Sequence, residues 1–321
     1  MTLRIGVVGG GGFGRGIATA GARAGNEVIL WSRTPARADT DARGSTGSAR
    51  DYRNTAALGD LAKTDLIFIA VPSLHVREVA HALGAYLDGS HLLVHVSRGL
   101  IGDDLRAITR VLREETPVVR LGALAGPLVA EALIDGTPSG AIVGSLFPEV
   151  ASAVRGAIAG ETLRIYSTDD VTGVEVASAL VGMLALAAGF ALGIGMGPSA
   201  LAVLCTRGIA EAQRVGVKLG AKERTFVGLA GFGDLVSAVA GDERPEIKLG
   251  RALGKGASLA EAGRAAGAHI EGVSIARRIA NFAERAKFAA PIAEATADMV
   301  EGKLSPREAV MSLMSRQVFT E

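Results

Sequence analysis

The chain has 321 residues, with 34 Lys and Arg against 33 Asp and Glu, a formal charge of +1 and one cysteine. That length points to two domains, with one large barrel as the other possibility. The balanced charge carries no signature of a nucleic-acid or membrane-surface partner. Cys205 alone excludes an internal disulfide and suits a reducing cytoplasm, as a small buried apolar side chain.

Met1 passes almost directly into an apolar run, LRIGVVG at residues 3–9, with no secretory leader before it. This predicted strand ends on Gly9, which with Gly11 and Gly14 gives the spacing G-x-G-x-x-G ahead of a helix-compatible segment. A second strand, EVILWS at 27–32, follows within about thirty residues, and this context turns a weak pattern into a dinucleotide-binding turn. Gly9 makes the tight turn, Gly11 lets a pyrophosphate approach the backbone, and Gly14 lets the helix pack on the strand. N–H groups at the helix start, at Gly12 and Phe13, face the anion. After the second strand the chain reads Trp31, Ser32, Arg33, Thr34. An acid there would bond the ribose diol of NAD, whereas Arg33 suits the extra phosphate of NADP. NADP is therefore favoured over NAD, or both are accepted; the bland alternative is a solvated Arg33.

Further short β-rich runs follow at 66–71, 92–97 and 140–145, with helix-like segments such as 75–83 between several of them. The rhythm is βαβ, hence a right-handed parallel sheet. From about Ser167 the pattern becomes helical. Val176–Thr206 has no charged side chain and is long enough to cross a bilayer. Gly182, Gly189, Gly193, Gly195, Gly197 and Pro198 break it into two pieces suited to helices packed closely inside a domain. At 305–316, Ser305 can cap a helix with Pro306 first and Glu308 completing a capping box. The expected architecture is a Rossmann-type α/β parallel-sheet domain over 1–168, then an all-α helical domain over 169–321.

Several stretches carry a more specific signal: FIAVPSLHVREV (68–79), AGPLVAE (125–131), STDDVTGVEVASAL (167–180), TRGIAEAQRVGVKLGA (206–221), TFVGLAGFGDLV (225–236) and EGKLSPREAVMSLMSR (301–316). With the glycine turn, they make the chain resemble the bacterial NAD(P)-dependent glycerol-3-phosphate dehydrogenases over nearly its whole length. The resemblance implies hydride exchange between a nicotinamide and C2 of glycerol 3-phosphate or dihydroxyacetone phosphate. It adds Pro72, Arg98, Ala130 and Glu271 to the cofactor site, and Arg98, Gly126, Leu128, Asp234 and Arg244 to the substrate site. It also implies a cytoplasmic homodimer acting on a small molecule.

The chain departs from the family pattern at charged positions. The family's acid/base lysine and the asparagine after it become Val181 and Gly182. A Thr-Lys-Gly becomes Ser97, Arg98, Gly99, and the acid, amide and lysine of a later motif become Pro198, Ser199 and Leu201. The Ser-Arg-Asn phosphate grip becomes Arg244, Pro245 and Glu246, while Asp234 remains. Ketone reduction needs a proton donor at the developing alkoxide, and valine has none. Three readings stay open: a reductase shifted to a less charged substrate, with Arg98, Asp234 or a water replacing the lysine; a silent paralogue that binds the dinucleotide as a sensor or scaffold; or a true glycerol-3-phosphate dehydrogenase with its acid relocated to Lys248 or Lys255. His95, His75 and His269 are further candidate acids, His95 foremost because it immediately precedes the Arg98 loop.

Overall fold

The computed structural model describes residues 2–34, 52–241, 244–267 and 270–316. His269 lies outside the described residues. The chain divides into two compact units, one running to Ile101 and taking in Arg106–Glu175, the other holding Gly102–Leu105 and everything from Val176.

The first unit contains strands β1 (Arg4–Val8), β2 (Glu27–Trp31), β3 (Tyr52–Thr55), β4 (Leu66–Ile69), β5 (Leu92–His95), β6 (Leu121–Ala125), β7 (Ser139–Gly144) and β8 (Leu163–Thr168). They form one sheet in the order β3-β2-β1-β4-β5-β6-β7-β8. Successive side chains alternate between faces, so Ile5, Val7 and Phe68 enter one apolar cluster while Val8, Ile67 and Ile69 enter another. Strands buried on both faces need apolar residues at every position, which is why these runs are legible in the sequence. Helices α1 (Gly12–Arg23), α2 (Ser73–Gly84), α3 (Ile108–Glu115), α4 (Ala130–Asp135) and α5 (Pro148–Ile158) connect the strands.

The structure corrects the wholly parallel sheet in one place. β7, the expected strand at 140–145, pairs antiparallel with β6, Leu124 opposite Val143. An antiparallel neighbour needs no crossover over the sheet face, and the short α4 suffices for the return. The polar β3, the Ala- and Gly-containing β6 and the edge strand β8 add to the sheet without an apolar run to announce them.

After β8 come α6 (Val171–Gly193), α7 (Pro198–Lys218), α8 (Asp234–Ala240), α9 (Pro245–Gly254), α10 (Leu259–Ala266), α11 (Glu271–Arg285), α12 (Pro291–Val300) and α13 (Pro306–Met314). Asp170 starts α6: its Oδ1 accepts the Gly173 N–H at 2.9 Å, and a Cβ on Gly173 would sit 1.9 Å from Oδ2. Of the described helices, α6 alone is long and apolar enough to cross a membrane, and most of it is buried inside the protein. Its glycines explain how. A Cβ on Gly189 would lie 2.6 Å from the Ile247 carbonyl oxygen, and one on Gly254 would lie 2.7 Å from that of Phe190. The backbones of α6 and α9 therefore touch along a seam of Gly189 and Gly193 against Gly250 and Gly254. The charge-free stretch breaks between α6 and α7, as its glycines and Pro198 predict. Ser305 and Glu308 form the expected capping box on α13.

Candidate active site

The glycine turn joins β1 to α1 in the first unit. Gly9 has φ +122°, a conformation L side chains avoid, and its Cβ would meet the Ala70 carbonyl oxygen at 2.3 Å. A Cβ on Gly14 would meet the Gly9 carbonyl oxygen at 1.9 Å, so this glycine seats the helix on its own turn. Gly11 differs from both: a Cβ there meets nothing within 4 Å. Packing does not require glycine at that position, and the space over its backbone is open to a ligand. Gly11 is also the N-cap of α1, with no side-chain cap and no acid in the first turn, so the helix start is left electropositive. The turn fits a dinucleotide pyrophosphate.

Gly10 has a packing role of its own, because its Cβ would strike Ser32 at 2.8 Å. Ser32 directly follows the second strand, and its only sequence signal is Gly10, a glycine that the G-x-G-x-x-G spacing does not require. Arg33 follows it, exposed. Pro72 is the N-cap of α2, and Ala130 opens α4, its Cβ 3.6 Å from where a Cβ on Gly12 would be. Phe13 packs half-buried against the core. β1 and β4 are neighbours at the centre of the sheet, where the strand order reverses, and all these groups lie after carboxyl ends of strands. This is where open α/β sheets hold their ligands.

Arg98 lies half-buried on the loop after β5, between a braced residue and Gly99 at φ +114°. The brace is Ser97, whose Oγ donates to the Val71 carbonyl at 2.6 Å. Gly126, at φ +123°, makes a tight turn in which the Leu128 N–H donates to its carbonyl at 2.7 Å, and Leu128 is buried. His95 is a strut. It is 3 % exposed, with Nε2 3.0 Å from Glu175 Oε1 and Nδ1 3.2 Å from the Ser97 carbonyl oxygen. Both ring nitrogens are engaged inside the first unit, which leaves no ring face for a reacting oxygen. His75 lies half-buried on the first turn of α2.

In the second unit, Val181 is 1 % exposed on α6. Leu201, where the resemblance implies a cation, packs against a cluster of Ala185, Ala188, Ala238 and Ile247 and is part of an apolar seam. Lys248 and Lys255 are exposed on and after α9. Glu271 is buried at the head of α11. Asp234, fully buried as the first residue of α8, accepts a hydrogen bond from Arg244 Nη1 at 2.8 Å. Arg244 Nε reaches Glu246 Oε2 at 3.4 Å. Burial opposes the Arg244 charge, but Asp234 and Glu246 outweigh it and hold the group above its ordinary value. Glu211, on α7, accepts the N–H groups of Ile292 and Ala293 at the start of α12, both at 2.9 Å. Burial pushes its carboxyl up to about 7.

Family models for NAD-dependent glycerol-3-phosphate dehydrogenase match both parts of the chain, the N-terminal model over residues 4–151 and the C-terminal model over 170–311. A glycerol-3-phosphate dehydrogenase [NAD(P)+] from Hyphomonas neptunium is 35% identical, with 99% of this chain and 97% of that protein covered. The chain belongs to the NAD-dependent glycerol-3-phosphate dehydrogenase family. A second relative of the same description, from Saccharophagus degradans, is 32% identical over 98% of this chain and 90% of that protein. The crystal structure of glycerol-3-phosphate dehydrogenase from Coxiella burnetii superposes with a TM-score of 0.91 at 27% identity, covering 98% of this chain and 99% of that one. The chain shares the fold of that glycerol-3-phosphate dehydrogenase over nearly its whole length.

Proposed function

We propose that the protein is an NAD(P)-dependent oxidoreductase that exchanges hydride with a hydroxyl- or keto-bearing carbon of a small substrate. Glycerol 3-phosphate and dihydroxyacetone phosphate are the pair implied by its relatives. The observation that carries this reading is the turn at Gly9–Gly14, with open space at Gly11 and an uncapped helix start behind it. When bound, the nicotinamide supplies the hydride chemistry. The chain's part is to hold the dinucleotide on the backbone of Gly11, Gly12, Phe13 and Gly14, with Arg33 for the adenosine end and an extra phosphate, and with Pro72, Arg98 and Ala130 as further contacts.

Arg98 contributes a fixed cation that polarises an oxygen but does not release a proton near neutral pH. Val181 has no proton to give, and Asp234 is taken up by Arg244. A water therefore carries the proton to the developing alkoxide in this reading. Burial of α6 and the lone cysteine support a soluble cytoplasmic protein, and the family resemblance supports a homodimer. Calorimetric titration with NADPH and NADH tests the central claim. Binding of at least one is expected, and no heat from either at millimolar cofactor overturns it.

A further inference from the structure

His95 is the last residue of β5 and is 3% exposed. Buried with both ring nitrogens engaged, it touches no reacting oxygen, so any part it plays in the reaction passes through a neighbour. That neighbour is the peptide unit joining Ser97 to Arg98. His95 Nδ1 lies 3.2 Å from the Ser97 carbonyl oxygen. A carbonyl oxygen only accepts, so Nδ1 carries the hydrogen and donates it. The 3.0 Å contact between Nε2 and Glu175 Oε1 holds a hydrogen as well, which fixes the ring at both ends. Glu175 is itself held by Thr109, whose N–H and hydroxyl donate to it at 2.8 and 2.7 Å.

This series of contacts ends on the backbone of Arg98. A peptide unit is planar, so holding its oxygen also sets the direction of its nitrogen, which here belongs to Arg98. Ser97 is held a second time by its own Oγ, which donates to the Val71 carbonyl at 2.6 Å. On the far side of Arg98, Gly99 at φ +114° brings no side chain to steady the loop. Val71 also supports the cofactor turn, since its Cγ1 lies 3.2 Å from where a Cβ on Gly9 would be. The Arg98 loop and the glycine turn thus share a support within the first unit.

We propose that His95 is a positioning residue: its donation to the Ser97 carbonyl sets the backbone from which the Arg98 guanidinium reaches the substrate oxygen. This rests on the hydride-transfer reading above, in which Arg98 polarises that oxygen. A merely structural role for His95 would run through Glu175 instead, and the two ends of the ring can be separated by substitution. An asparagine amide falls where Nδ1 does, and a glutamine amide where Nε2 does. His95→Asn therefore keeps a donor for Ser97 and gives up Glu175, whereas His95→Gln keeps a donor for Glu175 and gives up Ser97.

The test compares both variants of the full-length protein with wild type, each saturated with NADPH, for reduction of dihydroxyacetone phosphate and of dihydroxyacetone. Melting temperature and hydrogen exchange across residues 96–101 are measured on the same samples. His95→Gln is expected to lower kcat about tenfold or more and to speed exchange across 96–101. His95→Asn is expected to keep kcat within about threefold of wild type, although it melts below His95→Gln. Equal kcat in the two variants, or rates that follow melting temperature, overturn the proposal. If wild type reduces neither ketone, the hydride-transfer reading fails for these substrates, and exchange alone decides the positioning. Faster exchange across 96–101 in His95→Gln than in His95→Asn then sustains it, and equal or reversed rates overturn it.

Discussion

His95 Nε2 lies 3.0 Å from Glu175 Oε1, and the two side chains are 3% and 1% exposed. The same carboxylate accepts the Thr109 N–H at 2.8 Å and its hydroxyl at 2.7 Å. One glutamate thus joins the end of β5, the start of α3 and the second turn of α6, immediately behind the Arg98 loop. Removing it strands three donors, the His95 ring nitrogen buried and the two of Thr109 part-buried, each costing up to about 1–3 kcal/mol. Glu175→Ala should therefore lower stability by about 3 kcal/mol or more, read from urea unfolding. Cofactor affinity, measured well below the melting point, should be retained. A stable variant would show that the network adds little.

The glycine turn yields a sharper separation of folding from binding. Gly11→Ala adds a methyl to open space at φ −69°, which an L-residue adopts readily. Its stability should match wild type, while NADPH affinity should fall about tenfold or more because the methyl stands in the path of the pyrophosphate. Gly14→Ala forces a Cβ to within 1.9 Å of the Gly9 carbonyl oxygen and should destabilise the first unit by several kcal/mol. Paired melting curves and titrations check both, and equal behaviour of the two variants would contradict the assigned roles.

What the sequence could announce followed from how strongly burial constrains it. The strands at residues 4–8, 66–69 and 92–95 are covered on both faces and read as apolar runs. Tyr52–Thr55 and Leu163–Thr168 lie at the sheet edges, where one-sided burial leaves no such run. The roles of Gly9 and Gly14 followed from spacing, as did the capping box at Ser305. Ser32 against Gly10, the Glu175 network and the Glu211 link had no local signature, since each joins residues that meet only in the folded chain. The closing of Arg244 by Asp234 and Glu246 was foreshadowed only by the acid at 246, because sequence spacing does not say where a guanidinium points.

Arg33 sets the cofactor prediction. It is exposed just beyond β2, beside Ser32 rather than an acid. Arg33→Asp should weaken NADPH binding and strengthen NADH binding, moving the affinity ratio by about tenfold or more, since a forked phosphate contact is lost and a diol acceptor gained. An unchanged ratio in paired calorimetric titrations would remove the phosphate role.

Glu211 gives a pH dependence with a definite sign. Its folded value, about 7, lies above the ordinary 4.5, with burial raising it more than the two N–H groups of α12 lower it. Between those values the folded state holds a proton that the unfolded state has lost. The contribution is therefore fully favourable below about pH 4.5 and is lost as pH rises through about 7. The shift corresponds to about 3 kcal/mol across that window. Against Glu211→Gln, which does not titrate, wild type should lose relative stability from pH 5 to pH 7.5 in urea unfolding. A pH-independent difference would refute the linkage.

The last prediction concerns the position of the family's lysine. Val181 is buried on a helix whose neighbouring side chains are apolar, with Gly182 beside it closely packed: a Cβ on Gly272 would lie 2.7 Å from the Gly182 carbonyl oxygen. Val181→Lys places an ammonium there with little space for water or an acceptor. Its pKa should fall, and the protein should lose about 3 kcal/mol or more of stability. Val181→Met, similar in length but uncharged, should cost less and serves as the control for size. Neither variant should acquire rapid reduction of dihydroxyacetone phosphate, because Leu201 remains in its apolar cluster and Arg244 remains closed by Asp234 and Glu246. Melting temperature and a coupled NADPH assay read the two effects separately. Rapid turnover by Val181→Lys would show that a phosphate end is still accommodated beside Leu201 and Arg244, and would refute this prediction.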